Sequence, residues 1–245
     1  MPKPPLPPSS LTPPDIGLPE PGAAPDAPDA PLPAPSRASR AMAALIAGVA
    51  WLAISAQTLL TIERTLARGL GLLDAFAWLS SYLTNLTVFA VAVGFTCLVP
   101  REEGRGRFVR FVARPPVVTA IVLYIVFVGL AYNLLLRGLW TPTGYRRLLN
   151  ESLHSILPIL CALYWVLFVP RFHLNLRKCL FWLVYPLAYL FITLWRGSRS
   201  DFYPYFFIDV DELGYPDVLF NAAMLVLAFL VLMGLFVLFN HRRRR

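Results

Sequence analysis

Residues 218–240 read VLFNAAMLVLAFLVLMGLFVLFN, a run of 23 residues without a charged side chain. A helix of about 20 apolar residues crosses the hydrocarbon core of a bilayer. Upstream of this run, five more such spans follow one another, and the charged residues gather between them. The sequence therefore predicts an all-α membrane protein with a six-transmembrane-helix bundle. The predicted spans are Ala41–Ile62, Ala75–Val99, Pro116–Leu136, Ser152–Val169, Cys179–Trp195 and Val218–Asn240.

The composition supports a membrane class and excludes several others. Of the 245 residues 57% are hydrophobic and 15% are charged, against about 25% charged in a soluble domain. The net charge of +8 comes from Lys and Arg that flank the spans, and no basic stripe with interleaved aromatics indicates nucleic acid. The three cysteines lie in the spans without a CxxC pair, so we predict neither a metal nor a cofactor.

Both ends of the chain differ from the 41–240 bundle. Residues Met1–Arg40 contain 14 of the 23 prolines and too few bulky side chains to offset the entropy of folding, which predicts a disordered cytoplasmic tail. A solvated tether is the simpler interpretation of this tail, and a cytoplasmic partner that binds proline-rich segments is the alternative. Residues 241–245 form a short basic C-terminus.

The distribution of Lys and Arg predicts the orientation of the bundle. With the N-terminus in the cytoplasm, the inner segments hold 15 of these residues and the outer loops hold 7. The positive-inside rule therefore favours cytoplasmic termini, and we expect a multi-pass protein of the plasma membrane. The oligomeric state is left open by the sequence.

Polar side chains from five predicted spans fall at one depth, in the outer half of the bilayer. Polar and ionisable residues at bilayer depth are costly and indicate a functional site by default. Small and polar residues at helical spacing also allow helices to pack closely, which is the competing explanation for the threonines of the second span. The five residues are Thr84, Asn133, His154, Tyr189 and Asn221.

His154 and Thr84 are the candidate reactive pair of this layer. Pro158 cannot donate the amide that would pair with the carbonyl of His154, so we expect a bend and an unpaired acceptor there. A neutral imidazole can take the proton of a threonine hydroxyl as that hydroxyl attacks. Asn133, Asn150 or Asp209 would orient the imidazole, and Asn85 or Asn221 would supply donors to a developing oxyanion.

Four stretches of the chain resemble the androgen-induced membrane protein family, and they resemble its bacterial branch most. They read SYLTN from Ser81, ESLHSILP from Glu151, YPLAY from Tyr185 and YPYFFIDV from Tyr203, the last followed by Leu213-Gly214-Tyr215. The likeness covers roughly residues 41–240. Animal members of the family are threonine hydrolases that cleave fatty-acid esters of hydroxy fatty acids. The resemblance implies that Thr84 is the nucleophile and His154 its partner, with Thr87 as a rival hydroxyl.

The leading hypothesis is therefore an intramembrane lipid-ester hydrolase whose substrate enters from the outer leaflet. The aromatic outer loop at Tyr203, Tyr205, Phe206 and Phe207 would cover the site, with Asp209 near its rim. The alternative is a non-catalytic membrane protein that binds or transports a small lipid or polar solute. A structural bundle whose proline-rich tail recruits a partner is the third hypothesis.

Overall fold

The computed structural model describes residues 35–100, 106–139, 141–172, 174–200 and 202–242, and every regular element in these ranges is helical. Most of the proline-rich tail and the last three arginines lie outside the described residues. The helices are α1 Arg37–Ala67, α2 Leu72–Ser80, α3 Leu83–Leu98, α4 Arg107–Val112, α5 Pro115–Ala131, α6 Tyr145–Glu151, α7 Leu157–Phe168, α8 Leu176–Cys179, α9 Val184–Ser200 and α10 Val210–Arg242.

Short non-α turns extend several of these helices. A π turn at Tyr132–Leu136 continues α5, another at Ser152–Ile156 joins α6 to α7, and a 3₁₀ turn at Leu180–Leu183 joins α8 to α9. Helix α10 contains a break at Gly214, whose φ of 77° lies in the left-handed region that glycine tolerates. These turns mark places where the regular backbone hydrogen bonding is interrupted.

Five continuous helical segments are long and apolar enough to cross a membrane. They match five of the six predicted spans to within one residue at the inner limits and mostly extend beyond them, because the polar flanking residues continue the helices. The first helix thus begins at Arg37, inside the predicted tail. The five segments are Arg37–Ala67, Pro115–Leu136, Tyr145–Phe168, Leu176–Ser200 and Val210–Arg242.

The second predicted span is not one helix. It is divided into α2 and α3, which meet at an angle of 87° across Ser81 and Tyr82. The described bundle therefore has six spans only if this bent pair counts as one. The prediction of a continuous Ala75–Val99 helix was wrong. It was based on apolar composition, which does not show where the backbone hydrogen bonds of a helix are interrupted.

Hydrogen bonds between helix ends show which ends lie together, and the Ser39 hydroxyl near the start of α1 lies 3.0 Å from the Tyr164 hydroxyl near the end of α7. At one end of the bundle, the Arg40 Nε near the start of α1 donates to the Val99 carbonyl after α3 at 2.8 Å. At the same end, Asn240 near the end of α10 donates to the Phe172 carbonyl at 2.7 Å. We call the opposite end, where α1 ends at Ala67, the distal end.

The bundle is apolar inside and outside. Small residues of α1, among them Ala43, Ala47 and Ala50, are buried against the neighbouring helices, which lets the backbones approach closely. Large side chains point outwards in every long helix; Leu52 is 75% exposed and Phe181 is 75% exposed. Soluble proteins rarely expose apolar surface on this scale, whereas an exterior facing lipid requires it. This architecture is that of a multi-pass membrane protein.

Candidate functional site

The break between α2 and α3 is held by polar groups from helix α9. The Tyr189 hydroxyl donates to the Ser81 carbonyl at 2.6 Å, and the Arg196 guanidinium donates to the Ser81 hydroxyl and to the Ala77 carbonyl. Asn85 Nδ2 donates to the Leu79 carbonyl at 2.9 Å. These donors satisfy carbonyls that a helix end leaves without amide partners. The sharp bend is therefore compatible with an apolar environment.

The same break frees the hydroxyl of Thr84 from its own helix. A helical threonine usually bonds to the carbonyl four residues earlier, but Thr84 is the second residue of α3 and that carbonyl lies before the bend. In contrast, six helical threonines make this bond at 2.7–2.8 Å: Thr58, Thr61, Thr65, Thr87, Thr96 and Thr119. The Thr84 hydroxyl is thus available to a partner outside its helix.

That partner is His154. The Thr84 Oγ1 lies 3.3 Å from the Nε2 of His154, and the Nδ1 of the same ring lies 3.0 Å from the backbone carbonyl of Asn150. A carbonyl only accepts hydrogen bonds, so Nδ1 carries the proton and Nε2 presents its lone pair to the threonine. A separation of 3.3 Å is long for a hydrogen bond.

Stacking fixes the plane of the imidazole. The rings of His154 and Tyr132 lie 3.8 Å apart at an interplanar angle of 18°. The Tyr132 hydroxyl accepts a hydrogen bond from Asn150 Nδ2 at 2.7 Å, and the Asn150 carbonyl accepts from the imidazole. The ring is therefore oriented by a residue beneath it and by a backbone group behind it.

The carbonyl that Pro158 leaves without a helical amide is occupied. Asn133 Nδ2 donates to the His154 carbonyl at 3.0 Å and to the Gly129 carbonyl at 2.7 Å. The sequence predicted an open acceptor that a water or substrate group would use, and this was wrong because a neighbouring helix supplies the donor. Asn133 holds the backbone of His154 rather than its ring.

A polar clamp joins the two π turns beside the histidine. Arg137 donates to Asn133 Oδ1 at 2.6 Å, to Glu151 Oε2 at 2.7 Å and to Ser155 Oγ at 3.0 Å. Ser155 Oγ in turn donates to Glu151 Oε2 at 2.7 Å. Because the clamp ties the end of α5 to the α6–α7 junction, it fixes the height of His154 relative to α5.

Tyr205, in the loop before α10, occupies the N-terminus of α3. Its hydroxyl interacts with the backbone amides of Leu83 and Thr84 and with the Thr84 side chain, and burial raises its pKa to about 12. The hydroxyl therefore remains protonated at neutral pH. Asn221 Nδ2 donates to the Phe207 carbonyl at 3.0 Å and anchors this loop to α10.

Two cavities meet at Thr84. The smaller one, about 100 Å³, is almost entirely apolar and lies between α5, α9 and α10. The larger one, about 510 Å³, contains His154 and the polar residues near the distal end of α1. Thr84 and Tyr205 line both cavities. The hydroxyl thus stands at a boundary between an apolar chamber and a polar one.

The remaining residues of the predicted site have structural partners. The Asp209 carboxylate accepts from the amides of Asp211 and Glu212 at the start of α10, and Asn85 and Asn221 bond to carbonyls near the site rather than pointing amides at Thr84. Thr87 bonds to its own helix and to Tyr185. None of these residues contacts the imidazole.

Sequence reasoning missed the stacking of Tyr132, the Arg137 clamp and the role of Arg196. In the sequence, Arg137 and Arg196 each directly follow a predicted span. That position did not distinguish them from arginines that lie at the membrane surface.

No protein-family model, curated protein or solved structure matches this chain. The comparisons show no family. The likeness to the androgen-induced membrane protein family thus stays a prediction.

Proposed function

We propose that this protein is a multi-pass membrane hydrolase that cleaves lipid esters with Thr84 as nucleophile and His154 as general base. The observation that carries the proposal is the 3.3 Å approach of Thr84 Oγ1 to His154 Nε2 at the boundary of an apolar and a polar cavity. A lipid ester has its scissile bond at such a boundary, between an acyl chain and a more polar alcohol.

The first step forms an acyl-enzyme. The Thr84 oxygen bonds to the ester carbonyl carbon while its proton passes to His154 Nε2, and the tetrahedral intermediate then expels the alcohol, which takes that proton. The Asn150 carbonyl holds Nδ1–H and stabilises the imidazolium between the two transfers. In the second step, water gives its proton to Nε2 and bonds to the acyl carbon. The fatty acid leaves, and the threonine regains its proton.

The first amides of α3 would bind the oxyanion of the intermediate. Helix N-termini present unpaired amides and a positive dipole end, which favour developing negative charge. The Tyr205 hydroxyl already lies beside the amides of Leu83 and Thr84. We infer that Tyr205 turns aside when substrate binds and that its oxygen marks the place of the oxyanion.

The family resemblance and the charge distribution support the remaining features. Cytoplasmic termini follow from the 15 to 7 excess of Lys and Arg at one side. The distal end, which carries the site, would then face the outer leaflet of the plasma membrane. The apolar cavity between α5, α9 and α10 would admit the acyl chain from that leaflet.

The decisive test compares two isosteric threonine variants of the purified, detergent-solubilised protein. Thr84→Val removes the free hydroxyl, whereas Thr87→Val removes one that already bonds to Leu83 and Tyr185. We expect Thr84→Val and His154→Gln to lose both labelling by a fluorophosphonate probe and turnover of a fluorogenic long-chain ester. Thr87→Val should retain both.

Size-exclusion profiles and thermal unfolding identify variants that fail to fold. Turnover at the wild-type rate by folded Thr84→Val would refute the threonine mechanism. Absence of labelling and turnover in the folded wild-type protein would instead favour the binding or transport function.

A further inference from the structure

Three arginines line the polar cavity that leads to Thr84. Arg64 and Arg68 lie one turn apart near the end of α1, and Arg146 lies on α6. Their side chains come from two separate helices and converge on one chamber. Like charges at this spacing on a helix repel each other, so an anion bound between them would be favoured.

No carboxylate neutralises this group within the part of the chain that the structure describes. The described lining of the cavity contains neither Asp nor Glu. Arg137 does form an ion pair with Glu151, but both residues belong to the clamp and not to this group of three arginines. Arg68 and Arg146 instead lie against the rings of Trp78 and Tyr145. These contacts hold the guanidinium groups themselves, with the Cζ atoms 5.8 and 5.9 Å from the ring centroids. A guanidinium over a ring face still directs the N–H donors at its edge outwards, where a ligand can accept them.

We propose that Arg64, Arg68 and Arg146 bind the phosphate headgroup of the lipid ester that Thr84 cleaves. This inference rests on the proposed hydrolase function and assigns its substrate class. The acyl chain would occupy the apolar cavity, the ester carbonyl would lie at Thr84, and the headgroup would fill the polar cavity. At about 510 Å³, the polar cavity is within the range of ligand sites.

The number of arginines favours a phosphate over a carboxylate. A phosphate monoester carries up to two negative charges and three terminal oxygens, and each guanidinium offers paired donors that match two of those oxygens. A single carboxylate has two oxygens and one charge, which one arginine satisfies. Three arginines without a described counter-charge therefore fit an acylglycerol phosphate better than a fatty-acid carboxylate.

The substrate test measures kcat/KM in mixed micelles for 1-oleoylglycerol 3-phosphate and for 1-oleoylglycerol, which differ only in the phosphate. We expect wild-type protein to prefer the phosphate by about 10- to 100-fold, the range of one charge-assisted hydrogen bond. The combined variant Arg64→Gln, Arg68→Gln, Arg146→Gln should bring the ratio close to one. Arg147→Gln is the matched control, since Arg147 does not line the cavity, and it should keep the wild-type ratio.

A binding test separates the headgroup site from the chemistry. Folded Thr84→Ala protein is titrated with 1-O-oleylglycerol 3-phosphate, an ether that cannot be hydrolysed, and thermal stabilisation is recorded with the arginines intact and with all three replaced. Stabilisation that depends on the arginines supports the headgroup site even if no ester is cleaved. An equal shift from inorganic phosphate alone would show that the site takes the free anion, and would overturn the lipid assignment.

Two further outcomes would overturn the proposal. One is a wild-type enzyme that does not discriminate between the two substrates, or whose preference survives the triple substitution. The other is a preference for an acyl ester ending in a carboxylate over the phosphate, which would reassign the arginines to that group.

Discussion

The position of Gly129 allows the geometry of the pair to be tested without touching either reactive residue. A Cβ at this position in α5 would lie 2.6 Å from Pro158 Cγ and 2.9 Å from the His154 carbonyl oxygen. Ordinary contact begins at about 3.4 Å, so Gly129→Ala requires the Pro158 ring to move by about 0.8 Å and the His154 carbonyl by about 0.5 Å. A backbone carbonyl cannot yield by changing rotamer, and His154 must move with it.

That displacement is large compared with the tolerance of the site. Thr84 Oγ1 and His154 Nε2 are already 3.3 Å apart, close to the limit of a hydrogen bond, so a shift of this size disturbs the pair. Because a misplacement of about 1 Å costs roughly 100-fold in rate, we expect Gly129→Ala to lose about 10-fold in ester turnover. Overpacking should also lower the free energy of unfolding by about 1–3 kcal/mol.

Gly48→Ala is the matched control. Gly48 also lies inside a helix, and a Cβ there meets nothing within 4 Å. The only expected effect of Gly48→Ala is therefore a rise of about 1 kcal/mol in the free energy of unfolding, from the higher helix propensity of alanine. Turnover of the fluorogenic ester and fluorophosphonate labelling are measured for both variants beside thermal unfolding. If Gly129→Ala protein is labelled by the fluorophosphonate and hydrolyses the ester as fast as Gly48→Ala protein, the contact of α5 with α7 does not set the position of His154.

Two further predictions concern groups around the pair. Asn133→Leu removes the side-chain donor of the His154 and Gly129 carbonyls, of which the Gly129 carbonyl keeps the Tyr132 amide. The substitution should lower the free energy of unfolding by about 1–3 kcal/mol in a thermal or denaturant titration, and an unchanged transition would mean that the π turns do not depend on this amide. Tyr205→Phe removes the oxygen from the α3 amides and should accelerate fluorophosphonate labelling of Thr84 several-fold, whereas slower labelling would make the Tyr205 hydroxyl a donor to the oxyanion.

Apolar runs predicted the architecture well because a bilayer selects for composition. Five of the six spans appear as continuous helices, and the absence of charge over about 20 residues is sufficient to identify such a helix. The bend at Ser81 and Tyr82 was not predictable in this way. Nothing in an uncharged sequence indicates that Tyr189 and Arg196, more than 100 positions later, supply the donors that make the break stable.

The candidate pair could be selected from the sequence because each member has an unusual local signal. His154 is an ionisable residue inside an apolar span, and Pro158 removes its backbone partner. The groups that orient the pair carry no such signal. The Asn150 carbonyl is a backbone atom, and Tyr132 is one aromatic residue among many in the spans, so their roles required coordinates.

The site and the irregular backbone of this bundle have a common origin. A regular transmembrane helix pairs its backbone amides and carbonyls within itself. A threonine inside such a helix donates its hydroxyl proton to the carbonyl four residues earlier, as Thr87 does to Leu83. The proton of a helical threonine hydroxyl stays free for an imidazole where the preceding turn is missing, and here a displaced neighbouring helix brings the imidazole to it. Both conditions occur at the same height in the bundle, where the α2–α3 bend lies against the π turn at Ser152–Ile156. Straightening α2 and α3 into one helix would return the Thr84 hydroxyl to the Ser80 carbonyl and remove the proposed nucleophile, even with both side chains of the pair present.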